Sequence, residues 1–132
     1  FAEAERNFRR SIELSPDNAE ALNYLGYMWA ERGLNLDEAR QMIEKAIQLE
    51  PESAAILDSL AWVLFQLKQP AAALEPMLKA IRLSEKPDAT LLDHLGDIYA
   101  ALGRWTDAQQ AWRESLAIEP NPSVQKKIDA KP

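Results

Sequence analysis

Apolar residues recur along this chain in paired blocks with helical spacing. Leu22, Leu25 and Trp29, and then Ala39, Ile43, Ala46 and Ile47, fall three and four residues apart. That spacing predicts one amphipathic helix, a turn and a second amphipathic helix. The double block then repeats. Leu25-Gly26, Leu60-Ala61 and Leu95-Gly96 stand in one column, each 35 residues after the last. A second column holds Ala4, Ala39, Ala73 and Ala108, and a third holds Ser11, Ala46, Ala80 and Ser115. Small residues at fixed places are what two helices need where their backbones approach closely.

The punctuation between blocks repeats too. Pro16, Pro51, Pro87 and Pro120 follow Leu14, Leu49, Leu83 and Ile118 within a few residues, so each unit closes on a helix stop and a turn. Gly33 and Gly103 end the first helix of their units, where a left-handed residue terminates a helix at little cost. Lys68-Gln69-Pro70 takes that place in the middle unit, with Pro70 suited to the first turn of the next helix. The boundaries that follow are a half unit over 1–18, units over 19–53, 54–88 and 89–122, and a capping helix or tail over 123–132. All belong to one domain. In the tail, Val124 and Ile128 form one side of the capping helix, and the lysines are expected to face water. Three irregularities stand out: an extra residue around Leu34-Asn35-Leu36, a long turn over Ser84-Glu85-Lys86-Pro87-Asp88, and Pro76 inside a helix, where a kink and not a break is expected.

Together these columns resemble the tetratricopeptide repeat. Its signature of Leu or an aromatic, Leu-Gly, an aromatic, a small Ala, an aromatic four residues later and a closing Pro is met by Leu22, Leu25-Gly26, Trp29, Ala39, Ile43 and Pro51. It returns as Leu57, Leu60-Ala61, Leu64, Ala73 and Met77, and again as Leu92, Leu95-Gly96, Tyr99, Ala108, Trp112 and Pro120. Phe1 to Asn18, with Ala4, Phe8 and Pro16, match the second half of a further unit. Ala61 departs from the usual Gly and Leu64 from the usual aromatic. The resemblance implies an all-α fold, a right-handed superhelix of about three and a half helical hairpins plus the C-terminal cap, and a fragment of a longer array. Its first helix lacks a preceding partner, so Phe1, Phe8 and Ile12 are expected to form an exposed edge able to pair with a second copy as a homodimer.

In this family the first helix of each hairpin lines a concave face that holds a protein or peptide partner. Carried over by position, the lining residues are Asn23, Tyr24, Tyr27 and Glu31; Asp58, Ser59, Trp62, Phe65 and Gln66; and Asp93, His94, Asp97 and Ala101. Relatives that clamp a C-terminal carboxylate use Lys, Arg and Asn there, whereas this chain carries Glu31, Asp58, Asp93 and Asp97. An acidic rim with Tyr27, Trp62 and Phe65 favours an apolar segment flanked by Lys or Arg. The alternative is that Trp62 and Phe65 pack between hairpins and the acids form a solvated face. Trp29, Trp105 and Trp112 fall in core columns.

Composition narrows the chemistry. Fifteen Lys and Arg against 21 Asp and Glu leave a formal net charge of -6, the wrong sign for nucleic acid. The cluster of Lys126, Lys127 and Lys131 reads as a solvated helix end. There is no cysteine and a single histidine, His94, with no glycine-rich phosphate loop and no metal-ligand spacing. Catalytic, cofactor and metal sites are therefore not expected; Asp93 and Asp97 beside His94 are better read as an acidic helix face than as a cation site. No apolar run approaches the ~18 residues of a membrane span. A narrower similarity links Asn23-Tyr24-Leu25-Gly26-Tyr27, Ile56 to Trp62 and His94-Leu95-Gly96 to the C-terminal repeats of bacterial multi-repeat proteins. Some of these are envelope lipoproteins that act as adaptors, which implies bacterial origin and leaves cytoplasm and periplasm or envelope both open. The expected function is an interaction scaffold or adaptor, with a self-assembling scaffold as the alternative and an enzyme as the least favoured.

Overall fold

The computed structural model describes residues 1–130. These form eight helices and no strand: α1 Ala2–Leu14, α2 Ala19–Arg32, α3 Leu36–Leu49, α4 Ala54–Gln66, α5 Pro70–Leu83, α6 Ala89–Ala101, α7 Trp105–Ile118 and α8 Pro122–Asp129. Within each hairpin α2 packs on α3, α4 on α5 and α6 on α7, and each hairpin rests on the next. The first helices also touch across repeats, α2 on α4 and α4 on α6, while the second helices make no comparable contact among the described residues. Close spacing on one side and wide spacing on the other bends the stack toward the first helices.

Repeating local chemistry sets these boundaries. Asn18 Oδ1 accepts from Ala21 N at 3.0 Å, Ser53 Oγ from Ile56 N at 3.2 Å and Asp88 Oδ1 from Leu91 N at 2.9 Å, so each first helix starts on a side-chain cap. Each ends on a left-handed residue, with φ of 68° at Gly33, 65° at Lys68 and 76° at Gly103. The next N–H then reaches back five residues, from Leu34 to Trp29, Gln69 to Leu64 and Arg104 to Tyr99, each at 2.9 Å. The extra residue of the first full unit is absorbed at Asn35, itself left-handed with φ 47°. The long turn lies outside the helices, between Leu83 and Ala89. Helix α5 runs unbroken through Pro76, held by fully buried Ala73, Met77 and Ala80.

Small residues sit where expected. A Cβ on Gly26 would lie 2.6 Å from Ile43 Cγ1, and one on Gly96 would collide with the Trp112 ring. Ala61 stands in that column opposite a more yielding neighbourhood that includes Met77. Trp29 and Trp112 are buried, and Trp105 packs edge-on against Trp112 with ring centroids 5.5 Å apart.

Two expectations need correction. Phe8 and Ile12 are not an exposed edge: both are half-buried against the cluster of α2 and α3, with the Phe8 and Tyr24 rings 5.8 Å apart. Phe1 alone remains exposed, and the Arg32 guanidinium lies 4.2 Å from its ring centre. In α8, Val124 is buried and Ile128 packs beside it, but Lys127 turns inward and does not face water. Lys126 is exposed, and Lys131 lies outside the described residues.

Candidate functional site

The predicted lining residues all fall on α2, α4 and α6, the side toward which the stack bends. The three helices treat them differently. On α2, Asn23 is 7% exposed and its Oδ1 has no hydrogen-bond partner. Tyr24 is half exposed, Tyr27 is half-buried and Glu31 is exposed. Burial, reinforced by the charges of Asp58, Glu31 and Asp88, pushes the Tyr27 pKa well up from its ordinary value. The phenol therefore stays protonated in a region of negative potential.

On α4, an aromatic stack has formed. The Trp62 ring centre lies 3.8 Å from His94 and 4.9 Å from Phe65, tilted by 15° and 16°. His94, on α6, is 7% exposed and is oriented by a 2.9 Å hydrogen bond from Nδ1 to Asp58 Oδ1. A carboxylate only accepts, so Nδ1 carries the proton. Gln66 Nε2 donates 2.9 Å to Ala30 O, joining α4 to the end of α2. Trp62 and Phe65 thus serve packing between helices while both keep part of their surface exposed.

On α6, Asp93 and Asp97 face a cation of the same chain. Lys127 Nζ lies 2.8 Å from Asp93 Oδ1 and 2.9 Å from Asp97 Oδ1. Burial pushes the Asp97 pKa up more strongly than the Lys127 charge pulls it down. Burial also works against the Lys127 charge, but the two aspartates outweigh it and its pKa is raised. The acidic pair of the third repeat is therefore occupied from within the chain, and Ala101 beyond it is exposed. Among the described residues no group of three or more His, Cys, Asp or Glu side chains is arranged to hold a metal ion.

Between the N-terminal halves of α2, α4 and α6 a cavity of ≈370 Å³ remains, lined by Asn23, Tyr27, Asp58, Ser59, Asp88 and Leu91 among others. Asn23, Tyr27 and Asp58 were legible from the repeat. Asp88 was not, since it reads as a turn residue; the recurrence of Asn18, Ser53 and Asp88 at a 35-residue spacing is the signal that places it at the head of a lining helix.

Models of the tetratricopeptide repeat match residues 1–35, 34–89 and 89–122. The chain belongs to the tetratricopeptide repeat family. Such repeats are scaffolds for protein–protein interaction and are not in general enzymes. The chain is 40% identical over 97 residues to the TPR repeat-containing protein PA4667 of Pseudomonas aeruginosa, a match covering 74% of this chain and 16% of that protein. Its fold is similar to the crystal structure of MamA, with a TM-score of 0.78, 25% identity and coverage of 94% of this chain and 72% of that one. It is also similar to the first TPR of Spaghetti (RPAP3) bound to the HSP90 peptide SRMEEVD, with a TM-score of 0.76, 22% identity and coverage of 84% and 87%. No helix among the described residues is long and apolar enough to cross a membrane.

Proposed function

We propose that this tetratricopeptide repeat domain is an adaptor whose face of α2, α4 and α6 docks an extended peptide or helix of a partner protein, apolar with basic flanks. The observation that carries the reading is the open cavity between the three first helices, acidic at Asp58 and Asp88 and lined by Tyr24 and Tyr27, with the Trp62 stack joined to it through the Asp58–His94 hydrogen bond. The charge of this face opposes an acidic tail such as the SRMEEVD peptide seen on the Spaghetti domain. Aromatic surface supplies affinity, and the acids select the sign of the flanks.

Selection of random dodecapeptides displayed on phage tests the proposal. Apolar sequences flanked by Lys or Arg are expected, with binding that weakens as salt rises. Trp62→Ala should cost such a peptide about 2 kcal/mol, a loss typical of an aromatic hot spot. Glu31→Lys, a change on an exposed residue, should slow association. Enrichment of acidic peptides, or unaltered affinity in both variants, would count against the assignment.

Self-assembly is a second reading, favoured by α1, which has no buried residue, and by the exposure of Phe1 at 45% and Leu14 at 68%. Sedimentation of the chain across a hundredfold range of concentration decides it: a concentration-dependent dimer abolished by Leu14→Glu supports a scaffold built end to end, and a constant monomer removes it.

A further inference from the structure

We infer that the cavity between α2, α4 and α6 receives the ammonium or guanidinium end of one lysine or arginine side chain of the docked partner. The inference rests on the docking role proposed for this face and adds the chemistry of one subsite.

Two hydroxyls of the lining have spent their protons within their own helices and keep their lone pairs. Ser59 Oγ donates to Ala55 O at 3.1 Å, and Ser84 Oγ donates to Ala80 O at 2.9 Å, so both hydroxyl oxygens are left to accept. Asp58 uses one oxygen on His94, and Asp88 uses one on the N–H of Leu91. Each carboxylate keeps a second oxygen. No lysine or arginine lines the cavity.

Asn23 is the independent sign. It is 7% exposed and borders the cavity, yet its Oδ1 has no partner. A buried amide oxygen left unpaired is costly, and a donor from outside that reached it would lower that cost. A group with several N–H donors and a positive charge fits this set of acceptors, whereas a carboxylate or phosphate would meet repulsion.

The chain contains its own precedent one repeat further on. Asp93 and Asp97 occupy the positions that Asp58 and Trp62 hold in α4 and that Asn23 and Tyr27 hold in α2, each 35 residues apart. There the acceptors are filled by Lys127 Nζ at 2.8 and 2.9 Å.

The test repeats the dodecapeptide selection on the chain and on its Asp58→Asn/Asp88→Asn variant. Asn keeps the hydrogen-bonding oxygen that His94 and the α6 cap need, so the fold is preserved; a superimposable circular-dichroism melt checks this. The chain should enrich a basic residue at one fixed position, and the variant should lose that residue while keeping the apolar ones. For the enriched peptide, norleucine in place of the fixed Lys, or citrulline in place of the fixed Arg, should weaken binding at least tenfold to the chain and no more than twofold to the variant. Asn23→Leu should weaken the basic peptide severalfold and leave the neutral one unchanged. The same basic position enriched on both proteins, or equal losses to both, overturns the subsite and leaves the docking face standing. Failure of either protein to enrich any peptide overturns the docking reading and the subsite with it.

Discussion

At Lys68 the repeat asks a lysine for the backbone conformation that Gly33 and Gly103 supply in the neighbouring units. A side chain at positive φ costs roughly 1–2 kcal/mol, partly offset because glycine loses more freedom on folding. Lys68→Gly should therefore stabilise the chain by about 0.5–1 kcal/mol, seen as a rise of a few degrees in melting temperature. The Leu-Gly column makes the opposite point. A methyl on Gly96 meets the Trp112 ring, and Gly96→Ala should cost about 1–3 kcal/mol by overpacking. At Ala61 the methyl is already accommodated, with flexible Met77 fully buried in the same cluster. Ala61→Gly should cost only about 1 kcal/mol, the ordinary helix penalty; urea denaturation of the three proteins gives the order.

At the scale of elements, α8 is joined to α6 by one cation between two acids. Lys127→Met leaves Asp93 and Asp97 with unpaired like charges in a partly buried site. The cost at pH 7 should be about 1–2 kcal/mol, below the figure for a fully buried pair because Lys127 keeps 34% of its side-chain surface. The sign with pH follows from the carboxylates. Asp97 already has a pKa raised above its ordinary value, and losing Lys127 raises it further, so the folded variant takes up protons before the unfolded chain does. The gap between variant and parent should narrow as pH falls through the carboxylate range, and a constant gap between pH 7 and pH 3 would contradict the pairing. In the parent, the Lys127 contribution is complete between the carboxylate range and the unfolded lysine value, and it disappears at the alkaline end as pH rises through the raised folded pKa of Lys127.

Across the whole molecule each hairpin contacts mainly its neighbours, so stability is a sum along the stack and is weakest at its ends. Helix α1 buries no residue; it is held by Glu5, whose Oε1 accepts from Trp29 Nε1 at 3.0 Å, and by Phe8 on Tyr24. Helix α4 has α3, α5, α2 and α6 around it. Hydrogen exchange should release the α1 amides through local opening and hold those of α4 until global unfolding. Equal protection in both would show that the repeats unfold as one unit.

The spacing of leucines, glycines and prolines determined the helices, their pairing and the family, because close helix packing and helix termination impose constraints that each local segment must meet alone. Even Lys68 was legible, as the residue standing where the other units place a glycine. What lies between repeats was not. Whether Asp93 and Asp97 form an open rim depends on Lys127, some 30 residues later, and the sequence reading turned that lysine toward water. The sequence left Trp62 and Phe65 either as groove aromatics or as packing between hairpins; the stack on His94, held by Asp58, is visible only in the structure. Phe8 and Ile12 looked like an unpaired edge until α2 covered them. Periodicity says which side of a helix a residue occupies; only the packed structure decides which distant side chain meets it there, since that contact depends on how neighbouring repeats are set against one another.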